Sequence, residues 1–104
     1  MTEESQLGPS DDGSVVLDIG GDVGALIIIT PDAFAGSEIE VSPVGSHGHR
    51  THVAVRERRG RSGTRYAAIY PELHAGDYTI WDLDGQAVGP IRIVGGEVTQ
   101  IDWR

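Results

Sequence analysis

Three of the four histidines fall within six residues, in Gly45-Ser46-His47-Gly48-His49-Arg50-Thr51-His52. Neutral imidazole is a common ligand for zinc, copper and nickel. On extended chain, residues two apart project to the same side, so His47 and His49 point together. His52 closes a third position where the chain turns between them. His47, His49 and His52 are therefore candidate ligands for zinc or copper. The same residues also read as a polar loop in which histidine is tolerated. Gly45 and Gly48 raise the entropic cost of ordering a site, and the segment itself carries no acidic fourth ligand.

A second constellation is basic. Alternation along a strand predicted over His52 to Arg58 sets His52, Arg56 and Arg58 on one face, with Arg59 and Arg61 crowning the hairpin that follows. The guanidinium fork matches carboxylate and phosphate, so Arg56, Arg58, Arg59 and Arg61 form a candidate contact for an anion or an acidic partner. The competing reading is a solvated hairpin that Glu57 and Glu72 neutralise within the monomer. Other chemistry has little to stand on. Ser46 beside His47 or His49 lacks a rigid elbow and an orienting acid. His74 near Asp77 implies no nucleophile. Gly20-Gly21-Asp22-Val23-Gly24 precedes a strand rather than a helix and so is no phosphate loop. Trp81 and Trp103 read as core or interface packing.

The 104 residues suit one small domain. Sixteen acids against eight bases give a formal charge of -8, and all eight bases are arginine. Lysine, asparagine and cysteine do not occur. Without cysteine there is no disulfide, no thiol nucleophile and no thiolate-bound metal; this composition leans toward the cytoplasm. Residues 1–40 hold nine acids and no base, whereas residues 50–65 hold six arginines and one glutamate. The acidic total argues against nucleic acid as a partner. The N-terminal residues do not read as a secretory signal. The apolar run from Val23 to Ile29 is far short of the ~20 residues that span a bilayer, so no membrane partner is expected.

The elements that must position these groups are strands. Fifteen glycines and five prolines argue against long helices, and short apolar stretches alternate with turn signals throughout. Residues 1–13 read as a disordered leader and residues 14–104 as the domain. Eight strands are expected: Val15–Ile19, Ala25–Ile29, Glu38–Ser42, His52–Arg58, Tyr66–Tyr70, Tyr78–Leu83, Pro90–Val94 and Val98–Trp103. Ala25–Ile29 is continuous and branched, as in a central strand covered on both faces. Gly60-Arg61-Ser62-Gly63 is a hairpin turn, and Pro71 to Gly76 a tight link. The expected fold is all-β: a single antiparallel sandwich of seven or eight strands.

In the second half of the chain, Leu73-x-x-Gly76-x-Tyr78-x-Ile80 and Gly96-x-Val98-x-x-Ile101 resemble a corner and last strand of the prealbumin-like superfamily. That grouping includes carboxypeptidase regulatory-like and collagen-adhesin B-type domains. The resemblance implies an immunoglobulin- or prealbumin-like β-sandwich and licenses no activity of its own. Isopeptide formation, known from the adhesin modules, needs a lysine that this chain lacks. The hydroxyisourate hydrolases of the superfamily end in Tyr-Arg-Gly-Ser, whereas this chain ends Ile101-Asp102-Trp103-Arg104. Intradiol dioxygenases, another β-sandwich group, join two tyrosines to a His-x-His pair; here all three tyrosines follow His47-Gly48-His49. The reading is thus a non-enzymatic protein-interaction or accessory module with no cofactor, able to bind a protein partner or to self-associate. The alternative is a metal-binding protein using the histidine-rich loop.

Overall fold

The computed structural model describes residues 19–45, 50–61 and 63–104. Its eight strands are β1 (Val23–Thr30), β2 (Glu38–Pro43), β3 (Thr51–Ala54), β4 (Arg56–Gly60), β5 (Gly63–His74), β6 (Gly76–Trp81), β7 (Ala87–Ile93) and β8 (Val98–Asp102), with one 3-10 turn at Asp32–Phe34. They form two four-stranded sheets, ordered β4-β5-β1-β8 and β3-β2-β6-β7. The fold is all-β, as the spacing of apolar segments and turns predicts. The expected leader and most of the expected Val15–Ile19 strand lie outside the described residues.

Two features depart from the expected antiparallel sandwich. β8 runs parallel to β1, Ile28 opposite Ile101, so the first sheet is mixed. Parallel strands need a crossover of a dozen or more residues, and here the connection from β1 to β8 takes in all of β2 to β7. The expected His52–Arg58 strand is also two strands in different sheets. Val55 is the hinge between them: its N–H donates to the Ser37 carbonyl (2.8 Å) and its carbonyl accepts from Gly36 N–H (2.9 Å). These bonds to the loop before β2 take the place of ladder bonds, and the chain crosses from one sheet to the other.

Pro71 does not end its strand. The β1–β5 register shifts between Gly24 and Leu26, across from Pro71 and Glu72. A bulge tolerates a residue without an N–H, so β5 continues to His74. In the corner that follows, Gly76 has φ +148° with open space around a Cβ. The backbone angle, rather than crowding, calls for glycine there. The Tyr78 hydroxyl donates to the His74 carbonyl at 2.7 Å, a bond local to the corner.

Both sheets contribute to one apolar cluster. Leu26, Ile28, Ala68, Tyr70 and Leu73 of the first meet Ile39, Val41, Tyr78, Ile80 and Ile93 of the second, with Val55 at the crossover. Burying each large aliphatic side chain contributes about 1.5–3 kcal/mol. Tyr70 brings a polar end into this cluster, and its hydroxyl donates to the Ile39 carbonyl of β2. Burial, with the Glu40 charge adding to it, raises the pKa of this phenol far above the ordinary tyrosine value. It therefore acts as a neutral donor tying the sheets together. No described helix is long and apolar enough to cross a membrane.

Candidate functional site

At the end of the fold where β1 finishes, β8 is followed by Trp103. Its N–H donates to the Ile29 carbonyl at 2.7 Å, which holds the indole beside the 3-10 turn. Phe34 and Trp103 meet edge to face, centroids 6.2 Å apart with planes at 65°, a favoured aromatic geometry. Across from them is the turn joining β6 and β7. Asp82 Oδ1 accepts from the N–H groups of Asp84 and Gln86, each at 2.9 Å. The Asp82 N–H donates to the Gln86 carbonyl (3.0 Å) and Gly85 N–H to the Asp82 carbonyl (2.9 Å). One carboxylate thus organises the whole turn, as an Asp at the first turn position does by accepting from the backbone two residues on.

Between the aromatic pair and this turn lies a cleft of about 310 Å³, lined by Phe34, Asp82, Leu83, Asp84, Val88 and Trp103. That volume falls at the lower end of small-ligand and side-chain sites. Leu83 and Val88 remain 44% and 37% exposed, although neither is needed to close the core. The chemistry is apolar and aromatic at the walls, with two carboxylates at the rim and no base. Such a cleft suits an aliphatic or aromatic group attached to a cation, because carboxylates and ring faces both attract guanidinium and ammonium.

The residues singled out by sequence are scattered differently. His52 lies on β3, exposed, with Nδ1 3.8 Å from Glu38 Oε1. It stands opposite Glu40 in the β2–β3 register, so two acids share its face. His47 and His49 lie outside the described residues. Among the described residues, no group of three or more histidine or acidic side chains could hold a metal ion. Arg56, Arg59 and Arg61 are exposed on β4 and its turn. Arg58 shares a face with Arg56, opposite Arg65 and Ala67 of β5, but is only 4% exposed. His52 does not share that face, because the crossover at Val55 puts it in the other sheet.

Trp81 is not in the core. It lies on the outer face of the second sheet, where its Nε1–H donates to Ser42 Oγ at 3.0 Å. The Arg50 guanidinium sits 3.9 Å from its ring centre and also pairs with Glu40 at 2.9 Å. The cleft was not found by sequence reasoning. Trp103 reads there as packing, and Leu83 as the end of a strand; only the Asp84-Gly85 turn signal marks the place.

No family model and no curated protein matches this sequence. Among solved structures, the chain is similar to a leucine-rich repeat protein from Bacteroides thetaiotaomicron VPI-5482, with a TM-score of 0.44 and 10% identity. That match covers 80% of this chain and 12% of the other.

Proposed function

We propose that this protein is a non-enzymatic interaction module whose Phe34–Trp103 cleft receives a segment of a protein partner bearing cationic and large apolar side chains. The observation that carries this reading is the joining of exposed Leu83 and Val88 to an aromatic pair beneath two carboxylates. Exposed apolar groups gathered in one concave place mark contact sites more than scattered ones do. A rigid scaffold presenting a turn is a common way to build such a contact. The net charge of -8 favours a basic partner at long range. We also read the two sheets as one prealbumin-like sandwich, supported by their shared core and the Gly76–Tyr78 corner.

Selection from a displayed peptide library tests the cleft. The wild-type protein should enrich peptides that place arginine or lysine next to leucine or an aromatic residue. Asp84→Lys should weaken the enriched peptides roughly tenfold, the effect of losing one charge-assisted contact. Identical selections from the wild type and from Asp84→Lys or Val88→Asp would contradict the reading.

A second reading is a zinc or copper site formed by His47, His49 and His52. The nearest carboxylate to His52 is that of Glu38, with Oε1 3.8 Å from Nδ1. Calorimetry with zinc chloride decides it: binding in the wild type that is lost in His52→Ala supports the site, and equal heats in both remove it.

A further inference from the structure

The two sheets leave four edge strands, β4 and β8 in the first and β3 and β7 in the second. An edge presents backbone N–H and C=O groups to any other strand, and three of these four are blunted. β4 is charged at Arg56, Glu57, Arg58 and Arg59. β3 has only four residues. β7 contains Pro90, which has no N–H, beside Gly89 at φ +117°, and its register with β6 shifts. β8 differs. Its register with β1 runs without a shift from Val98 to Asp102, and it contains no proline, glycine or base. Its one charged side chain, Asp102, is held by Arg104 at 2.8 and 3.0 Å.

The bonds at the two ends of β8 fix which of its backbone groups point outward. Ala25 N–H donates to the Glu97 carbonyl (3.0 Å) and Trp103 N–H to the Ile29 carbonyl (2.7 Å). Parallel neighbours bond through alternate residues, so with Ala25 opposite Val98 it is Thr99 and Ile101 that bond to β1. Val98, Gln100 and Asp102 turn both N–H and C=O away from β1, and no described strand lies on that side. The side chains of these three are exposed, while Thr99 and Ile101 are half-buried.

We propose that a second copy of this chain adds its own β8 to this edge, antiparallel, about a two-fold axis at Gln100. The edge is complementary to itself. In that register Gln100 of one copy faces Gln100 of the other, and Val98 of each faces Asp102 of the other. Each facing pair exchanges both backbone bonds, as the hydrogen-bonded pairs of an antiparallel ladder do. All three outward residues are used only when the axis lies at Gln100; a slip of one residue sets them against residues already bonded to β1. Thr99 and Ile101 also face each other across the seam, a branched pair of the kind that stabilises sheets. The ends match in charge, because Glu97 of one copy arrives beside Arg104 of the other. The β4-β5-β1-β8 sheets of the two copies then form one continuous sheet in an isologous dimer. This interface is separate from the Phe34–Trp103 cleft and stands whether or not a partner enters the cleft.

Because the chain has no cysteine, Gln100→Cys in the full-length protein introduces a single thiol at the axis. Facing residues of a hydrogen-bonded antiparallel pair have Cα atoms about 5.5 Å apart, which suits a disulfide. Val98→Cys, on the same exposed face, sets its two thiols about 13 Å apart along the seam and serves as the control. Under mild oxidation Gln100→Cys should form a disulfide-linked dimer roughly tenfold or more above Val98→Cys, as the higher effective concentration of adjacent thiols requires. Equal yields overturn the proposal. Without oxidation, sedimentation equilibrium should show the wild-type chain in a concentration-dependent balance of monomer and dimer. Gln100→Lys sets like charges face to face, and Gln100→Pro removes an outward N–H but no bond to β1; each should weaken the dimer roughly tenfold or more. Urea unfolding checks that both variants stay folded. A wild type that remains monomeric, or a dimer that both variants leave intact, overturns the proposal.

Discussion

Tyr70 is the side chain on which the two sheets most visibly depend. Its hydroxyl crosses the apolar cluster to the Ile39 carbonyl, and the ring is 1% exposed. Tyr70→Phe keeps the ring but strands that carbonyl's partner position, and it should destabilise the protein by about 1–2 kcal/mol in urea unfolding. An unchanged midpoint would mean the bond contributes nothing net. At the chain end, Asp102 accepts from the Arg104 backbone at 2.9 Å and from its guanidinium at 2.8 and 3.0 Å. These bonds hold its pKa down to about 2, below the ordinary 3.8. The sign follows: a folded-state value below the unfolded one gives a contribution present above about pH 4 and lost as pH falls toward 2. Carboxyl NMR should show Asp102 titrating near 2, and Arg104→Ala should return the midpoint toward 3.8.

Among the elements, the β7–β8 turn packs its backbone against the turn that leads into β1. A Cβ on Gly95 would stand 2.0 Å from the Gly21 carbonyl oxygen, and neither neighbour is a side chain that can swing away. Gly95→Ala should therefore cost about 1–3 kcal/mol in thermal or urea unfolding, the range for overpacking. A variant as stable as the wild type would show that these two turns are not held together. The same elements show what sequence reasoning can reach. Ala25–Ile29 is legible as a central strand because an unbroken branched run has only one good environment, between covered faces. The Gly60–Gly63 turn is legible because glycine marks tight reversals. The split at Val55 is not, since Val53 and Val55 keep their alternation while the backbone changes sheets. The direction of β8 is equally hidden, because alternation is the same for parallel and antiparallel partners. Arg58 shows the limit for single residues: it is buried although Arg56, Glu57 and Arg59 of the same strand are exposed.

For the molecule as a whole, charge and shape are distributed with a clear asymmetry. Arg56, Arg58 and Arg59 lie on β4 and Arg65 at the start of β5, with Arg50 just before β3 and Arg61 in the β4–β5 turn, while the Phe34–Trp103 cleft at the end of β1 carries only acids. The cleft was invisible in the sequence because Phe34, Leu83 and Trp103 are separated by most of the chain. Taken alone, Leu83 reads as the end of a strand and Trp103 as packing. Brought together, they form the feature that best accounts for the apolar exposure of Leu83 and Val88. A titration followed by amide NMR, using a capped Arg-Leu-Arg peptide with a capped Glu-Leu-Glu peptide as control, addresses this most directly. The account predicts saturable shifts of the Trp103 indole and of the Leu83–Val88 amides with the basic peptide alone. Shifts elsewhere, equal responses to both peptides, or none at all would contradict it.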